Sequence, residues 1–435
     1  LSLERLIEAL GSVHAAGCRL SGWTVYVAES RRTSLGTKDR ETGGPHAPLT
    51  LVESLTARYK LIWDDGRVSR GAMERTSLET SPEAALAATR AAAYVDPDAV
   101  DVLGPAEFPE VATHVPATAG IAAGGVEPFA PRLAAVRERV ERHGVRTWSG
   151  SMYAAEGTSR VLTSAGLDVR GSGTSAGWSA TLDGELGAGF GARALEPMDE
   201  FASRLDRLVA FVLALREPAA ARAGGVLPVL LHPDVVEDYV LGVLLHNLDG
   251  PQVAHGTGAF GKEQFGSGAP VLRDDLTLRT DPLVSMAAGA YRFSQEGLPA
   301  APCAYINRGR LETPLLDLKY ARRLGRKPTA FPAAMDTLFL EGERSIGYDE
   351  ALVAAAGGGL VLSVLGVHTQ DFASGDFSLS APQTLAIGPH GPAGRFRATI
   401  SGNLFALLRS PELALVRFPG EHTPGLLAHC RLDPA

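Results

Sequence analysis

The sequence predicts an α+β fold in two domains: N-terminal helices with antiparallel strands over residues 1–222, and a C-terminal domain dominated by antiparallel β-sheet over residues 223–435. Three observations predict it. A chain of 435 residues is too long for one small core and suits two domains of roughly 200 residues. The 49 glycines and 28 prolines supply turns for many short strands. Stretches of period-two alternation are broken by only a few strongly helical segments.

Residues 2–16 read as an amphipathic helix, with Leu3, Leu6, Ile7 and Leu10 at helical spacing and Gly17 in the position of a C-terminal cap. Extended stretches follow: "WTVYVAES" alternates, and "YKLIWDDGRVSRG" carries the Asp-Gly turn of a hairpin. "SPEAALAATRAAAYV" predicts a helix with Ser81 as N-cap and Pro82 at its first position. A charged helix runs from Pro131 to about His143, and the Gly- and Ser-punctuated stretch from Thr147 to Leu195 reads as an antiparallel meander. "EPMDEFASRLDRLVAFVLALRE" is the next helix and "PAAARAGGV" the linker, which places the domain boundary near residue 222. The buried strand "VLPVLL" opens the second domain and passes into a long helix, with Pro233 near its first turn and Gly250 after its end. Beyond it lie the Gly-rich "HGTGAFGKEQFGSGAP", the hairpin-like "CAYINRGRLETPLLD", the short helix "LKYARRLG" and the strand "GLVLSVLG".

Composition narrows the function classes. Apolar residues make up 45% and charged residues 21% of the chain, so there is ample material for two cores. The formal net charge of −8 repels polyanions and argues against direct contact with nucleic acid. No window approaches the roughly 20 uncharged apolar residues of a membrane-spanning helix. The N-terminus reads as an amphipathic helix rather than a signal peptide, and a cytoplasmic setting without membrane attachment is expected. Cys18, Cys303 and Cys430 are too few and too scattered for a disulfide framework or a Cys-rich zinc module.

Three stretches imitate known sites. "GTSAG", Gly173–Gly177, matches the nucleophile elbow with Ser175 as nucleophile. An elbow needs a helix directly after the serine, and a strand-like, Gly-rich stretch follows here. "GTGAFGKE", Gly256–Glu263, has the glycine and lysine spacing of a phosphate loop. It sets Glu263 where a Ser or Thr would ligate magnesium. In the long helix, His232, Glu237 and His246 invite a metal site, yet the two imidazoles lie about 20 Å apart by helical rise and cannot share one ion.

The order of "VLLHPDVVEDYVLGVLLHNLDG", "FSQEGLPAAPCAYINRGRLETPLLDLKYARRLGRKPT", "GLVLSVLGVHTQDFASGDFSLSAPQTLAI" and "FRATISGNLFALLRS" resembles the TldD/TldE (PmbA) family, also called modulators of DNA gyrase. The resemblance spans most of residues 226–428. It implies a two-subunit peptidase in which TldD-type chains hold zinc through an H-E-x-x-x-H helix and a cysteine near the C-terminus, whereas TldE-type chains keep the fold without the complete site. Laying the family helix onto this one sets Leu241 at the first ligand histidine, Gly242 at the glutamate and His246 at the second histidine. The C-terminal cysteine falls on Pro424.

The resemblance thus implies a metal-free, TldE-like subunit with no cofactor of its own. Its implied partner is a TldD-like zinc peptidase subunit, and its implied substrates are small or unfolded peptides such as antitoxin fragments or precursors of peptide natural products. Two alternatives stay open from the residues alone. One is a stand-alone hydrolase, acting through Ser175 or through a metal gathered by His232, His255 or His368. The other is a homodimeric peptide-binding scaffold.

Overall fold

The computed structural model describes residues 2–435 apart from 221, 222 and 390. The expected boundary at residue 222 therefore lies outside the described residues. The first half is built on a long antiparallel sheet whose principal strands run Arg67–Glu74, Leu49–Trp63, Cys18–Lys38, Trp148–Thr163, Asp168–Leu182 and Leu186–Ala192 in spatial order. The Asp-Gly hairpin forms as read: Gly66 takes φ +80° and its N–H donates to the Trp63 carbonyl at 2.9 Å. Alternation sends Val25, Leu61, Ala154 and Trp178 to one face, where the helices Ser2–Ser12, Ala130–Arg142 and Met198–Arg216 pack. Tyr26, Arg58, Lys60 and Val161 face the other way.

The first helix is shorter than its periodicity predicts. It ends at Ser12, and Gly17 is no helix cap. His14–Ala15 instead pair with Cys18–Arg19 across a two-residue turn in which Ala16 and Gly17 have φ of 50° and 76°. The edge of the sheet captures this backbone, and strand pairing there overrides helical propensity.

In the second half, the strand Gly225–Leu231 lies parallel to Gly359–Leu365 and antiparallel to Gly425–Pro434. Asp376–Gly388 and Gly391–Asn403 complete the circuit between those two neighbours, so five strands close on themselves. Ala414–Arg417 and Ser345–Gly347 extend the sheet through a second parallel pairing. The long helix beginning at Pro233 packs Val236, Tyr239, Val240 and Leu244 against Phe377, Ile400, Leu426 and Cys430. Thr277–Thr280, Cys303–Asn307, Arg310–Leu311 and Leu338–Glu341 form a separate antiparallel sheet. Among the described residues no helix is long and apolar enough to cross a membrane.

The two halves are tied by the helix Met198–Arg216, which gives Phe201, Leu205 and Val212 to the first core and Leu215 to the second. The carboxylate of Glu196, 1% exposed, accepts from the Trp178 indole at 2.8 Å and from Arg204 at 3.1 Å. Arg204 reaches on to Glu421 and, at 2.6 Å, to the Gly420 carbonyl in the second half. Removing one member of so buried a network strands the others. Glu196→Ala should therefore lower unfolding free energy by about 3–5 kcal/mol, read by urea denaturation.

Candidate functional site

The motif helix begins where the strand Gly225–Leu231 ends. His232 stands at its N-cap, with Nδ1 accepting from the Asp234 N–H at 3.3 Å and the ring set edge-on between Phe211 and Phe418. That imidazole is a structural cap. The helix is not α-helical throughout: Val236–Leu241 is wound as a π-helix between Pro233–Val235 and Gly242–Leu248. A π turn holds more residues than an α turn, so the side chains beyond it are rotated relative to a 3.6-residue frame.

Each motif position has a definite setting. Leu241 is 1% exposed within the apolar core. Gly242 is half-buried and helical at φ −56°, ψ −47°, and a Cβ there would meet only the Glu237 carbonyl oxygen, 4.0 Å away. His246 is half-buried and packs edge-on against Phe372 at 5.3 Å. Pro424 precedes the strand Gly425–Pro434, and its neighbour Thr423 donates its hydroxyl to Glu237 Oε1 at 2.5 Å. The C-terminal loop and the motif helix therefore meet. The side chains that meet are Thr423 and Glu237, a pairing with no signal in the sequence.

Glu237 is the carboxylate of this junction. Burial raises its pKa, the Thr423 hydrogen bond opposes the rise, and Asp234, Glu421 and Asp238 add to it. Burial likewise raises Asp238. Cys430 does not join them: its thiol is buried among Tyr239, Phe377 and Ile400, and burial pushes its pKa up to about 12.

The look-alike motifs have structural explanations. Ser175 lies in mid-strand opposite Ala155, with no strand-to-helix turn. Gly177 is needed because a Cβ would fall 2.3 Å from the Phe190 carbonyl and 2.8 Å from the Tyr153 ring. The stretch from Gly256 to Glu263 follows a helix and closes on the short turn Lys262–Gln264. Its Gly258 accommodates the fully buried Asn247, whose Oδ1 accepts from Ala259 N–H at 2.6 Å while its Nδ2 donates to Val243 and Phe372 carbonyls. His255 is exposed with its ring near Tyr320, and His368 is exposed in the turn Val367–Thr369.

These side chains do not fit a zinc ion at the family position. Leucine, glycine and proline offer no donor, and His246 alone makes no site. Among the described residues, the side chains that bring three His, Cys, Asp or Glu donor atoms within 4.8 Å of one another are Cys18, Asp64 and Asp65. That group lies in the first half and holds its own cation, Arg90, paired with Asp65 and 3.3 Å from the Cys18 Sγ.

Residues 224–418 match the family model for the PmbA/TldA metallopeptidase C-terminal domain. The second half of the chain is thus similar to the C-terminal domain of the PmbA/TldD family. The whole chain shares its fold with TldE from Thermococcus kodakarensis, at TM-score 0.78 and 16% identity over 100% of both chains. It is also similar to two proteins described as candidate modulators of DNA gyrase. The one from Thermotoga maritima gives TM-score 0.78 and 20% identity over 100% of this chain and 99% of that one. The one from Bacteroides thetaiotaomicron gives 0.75 and 18% over 100% and 98%. At these identities the likeness is one of fold. No curated protein matches the sequence.

Two outcomes follow from this geometry. Gly242→Ala should stabilise the protein by about 0.5–1 kcal/mol, because the site is helical with room for a methyl group. Leu241→His should cost about 2–4 kcal/mol through lost packing and a buried imidazole. Thermal melts compare the two.

Glu237 supplies a pH-dependent test. A carboxylate whose folded pKa lies above its unfolded value near 4.5 binds more protons folded than unfolded across that interval, so stability falls as pH rises through it. Glu237→Gln should remove that fall and be more stable than the parent at pH 7, with the advantage shrinking toward pH 4. Denaturant midpoints across pH provide the check.

Proposed function

We propose that this chain is the non-catalytic, TldE-like subunit of a TldD/TldE-type metallopeptidase complex that acts on small or unfolded peptides. The donor set carries the conclusion: Leu241, Gly242 and Pro424 stand at the three positions where a ligand or a water-activating carboxylate would be needed, and His246 is left packed on Phe372. Zinc in this reading belongs to a TldD-like partner chain, and the present chain completes the substrate chamber.

An extended peptide has a place to bind. Residues 49–55 of the strand Leu49–Trp63 pair with Cys18–Lys38 on one side, while the strand on the other side reaches only to Thr56. Leu49, Leu51 and Val52 are exposed along that open edge. Such an edge takes up a further strand through main-chain hydrogen bonds, with little demand on sequence.

Elemental analysis of the chain purified alone should find almost no zinc. Peptidase activity should require a co-purifying TldD-like chain. About one zinc per chain in the isolated protein, the stoichiometry of one specific site, overturns the proposal. The double variant Leu241→His with Gly242→Glu should still bind no stoichiometric zinc while Pro424 remains, because two imidazoles without a third protein ligand make a poor site.

A further inference from the structure

We propose that a composite cavity between the N-terminal sheet and the segment Tyr291–Leu298 binds the C-terminal residue of a peptide, its free carboxylate held by Arg58, Lys60 and Arg70 and its apolar side chain lodged beside Tyr291, Phe293 and Phe331. The choice of a peptide as ligand rests on the function proposed above; the anion site and the apolar site rest on the structure.

Strand register builds the cationic end. Thr24 lies opposite Lys60 and Tyr26 opposite Arg58, while Lys60 in turn lies opposite Arg70 on the next strand. These side chains share one face and line a cavity of about 440 Å³. Like charges directly opposed on neighbouring strands destabilise a sheet. Here one of them, Lys60, is only 9% exposed.

Partners inside the protein balance this charge only in part. The Lys60 ammonium donates to the Asp101 carbonyl at 2.6 Å, which leaves two of its three protons. Burial lowers its pKa and Arg70 adds to the effect, while Glu296, Asp101 and Asp317 act against it. Arg58 reaches Gln295 Oε1 at 3.0 Å with one nitrogen. Among the described residues the Arg70 guanidinium has no hydrogen bond or ion pair. The nearest acid, Glu296, accepts from the Leu318 N–H at 2.9 Å; burial raises its pKa while Lys60 and Arg70 act against the rise, so it offsets part of the cluster's charge. In a chain of net charge −8, three basic groups against one acid, Glu296, line this cavity and make a local anion site, and the two guanidinium forks suit a carboxylate.

The apolar end adjoins it. A second cavity of about 460 Å³ shares Tyr26, Gln295 and Glu296 with the first. Its walls include Tyr291, Phe293, Leu298 and Phe331. The Tyr291 hydroxyl donates to the Phe331 carbonyl at 3.0 Å and accepts from its N–H at 3.1 Å, which fixes the Phe331 backbone beside the tyrosine. Both volumes fall in the range of small-ligand sites. An anion site next to an aromatic one is the complement of a terminal carboxylate beside a large apolar side chain.

Fluorescence anisotropy with a labelled pentapeptide ending in phenylalanine tests this on the full-length chain, without any zinc-bearing partner. The free acid should bind at least about tenfold tighter than its C-terminal amide, since charge-assisted hydrogen bonds are lost with the charge. Arg70→Ala should abolish the difference while leaving the melting temperature unchanged or raised, because it relieves the opposition to Lys60. Phe331→Ala should weaken the phenylalanine peptide and leave a glycine-terminated one unaffected. Equal binding of acid and amide, or no binding of either, overturns the inference. Zinc in the isolated chain would instead overturn the subunit role and leave this site standing.

Discussion

The candidate site depends on the strand Gly225–Leu231 being held between Gly359–Leu365 and Gly425–Pro434. The C-terminal strand is made of residues 200 positions away along the chain, so pairing it with the first strand fixes both ends of the site together. On one side the strand hands over to His232, whose N–H donates to the Val361 carbonyl at 2.9 Å and starts the motif helix. On the other, the loop entering Gly425 is drawn over that helix until Thr423 meets Glu237. Closing five strands in a ring leaves these two segments no independent freedom.

The same closure accounts for the chemical character of the helix. Its inward face packs on the ring of strands, so Leu241, Val240 and Leu244 are core residues and any donor at position 241 would have to leave that core. Gly242 is half-buried, with room for a Cβ beside the Glu237 carbonyl. The helix side chains thus serve packing. His232 and His246 follow the same logic, each set against aromatic rings.

Charge is distributed unevenly over this acidic protein. Carboxylates gather around the motif helix, where Asp234, Glu421 and Asp238 add to the raised pKa of Glu237 and Asp234 to that of Asp238. Arginines and Lys60 collect on the opposite side of the long sheet, facing the segment that crosses from the second half. Arg204, bridging Glu196 and Glu421, joins the two halves and supplies a counter-charge to the buried Glu196, while Glu421 also pairs with Arg207. The helix Met198–Arg216 contributes to both cores, so the halves share a packed element and are not joined by a linker alone.

The sequence by itself determined the elements whose signals are local. The Asp64–Gly66 hairpin, the helix opened by Pro82, the Gly/Ser meander and the strand "VLPVLL" were legible because turn chemistry and periodicity act within a few residues. The succession of motifs along residues 226–428 carried the family resemblance in the same way. Tertiary structure decided what depends on partners distant in the chain. It ended the first helix at Ser12 by pairing His14–Ala15 into a sheet, and it wound Val236–Leu241 as a π-helix that no propensity scale signals. It set Thr423 on Glu237, and brought Gln295 to Arg58. The reason is common to all four: each is set by strand register or close packing, and neither is written in the spacing of neighbouring residues.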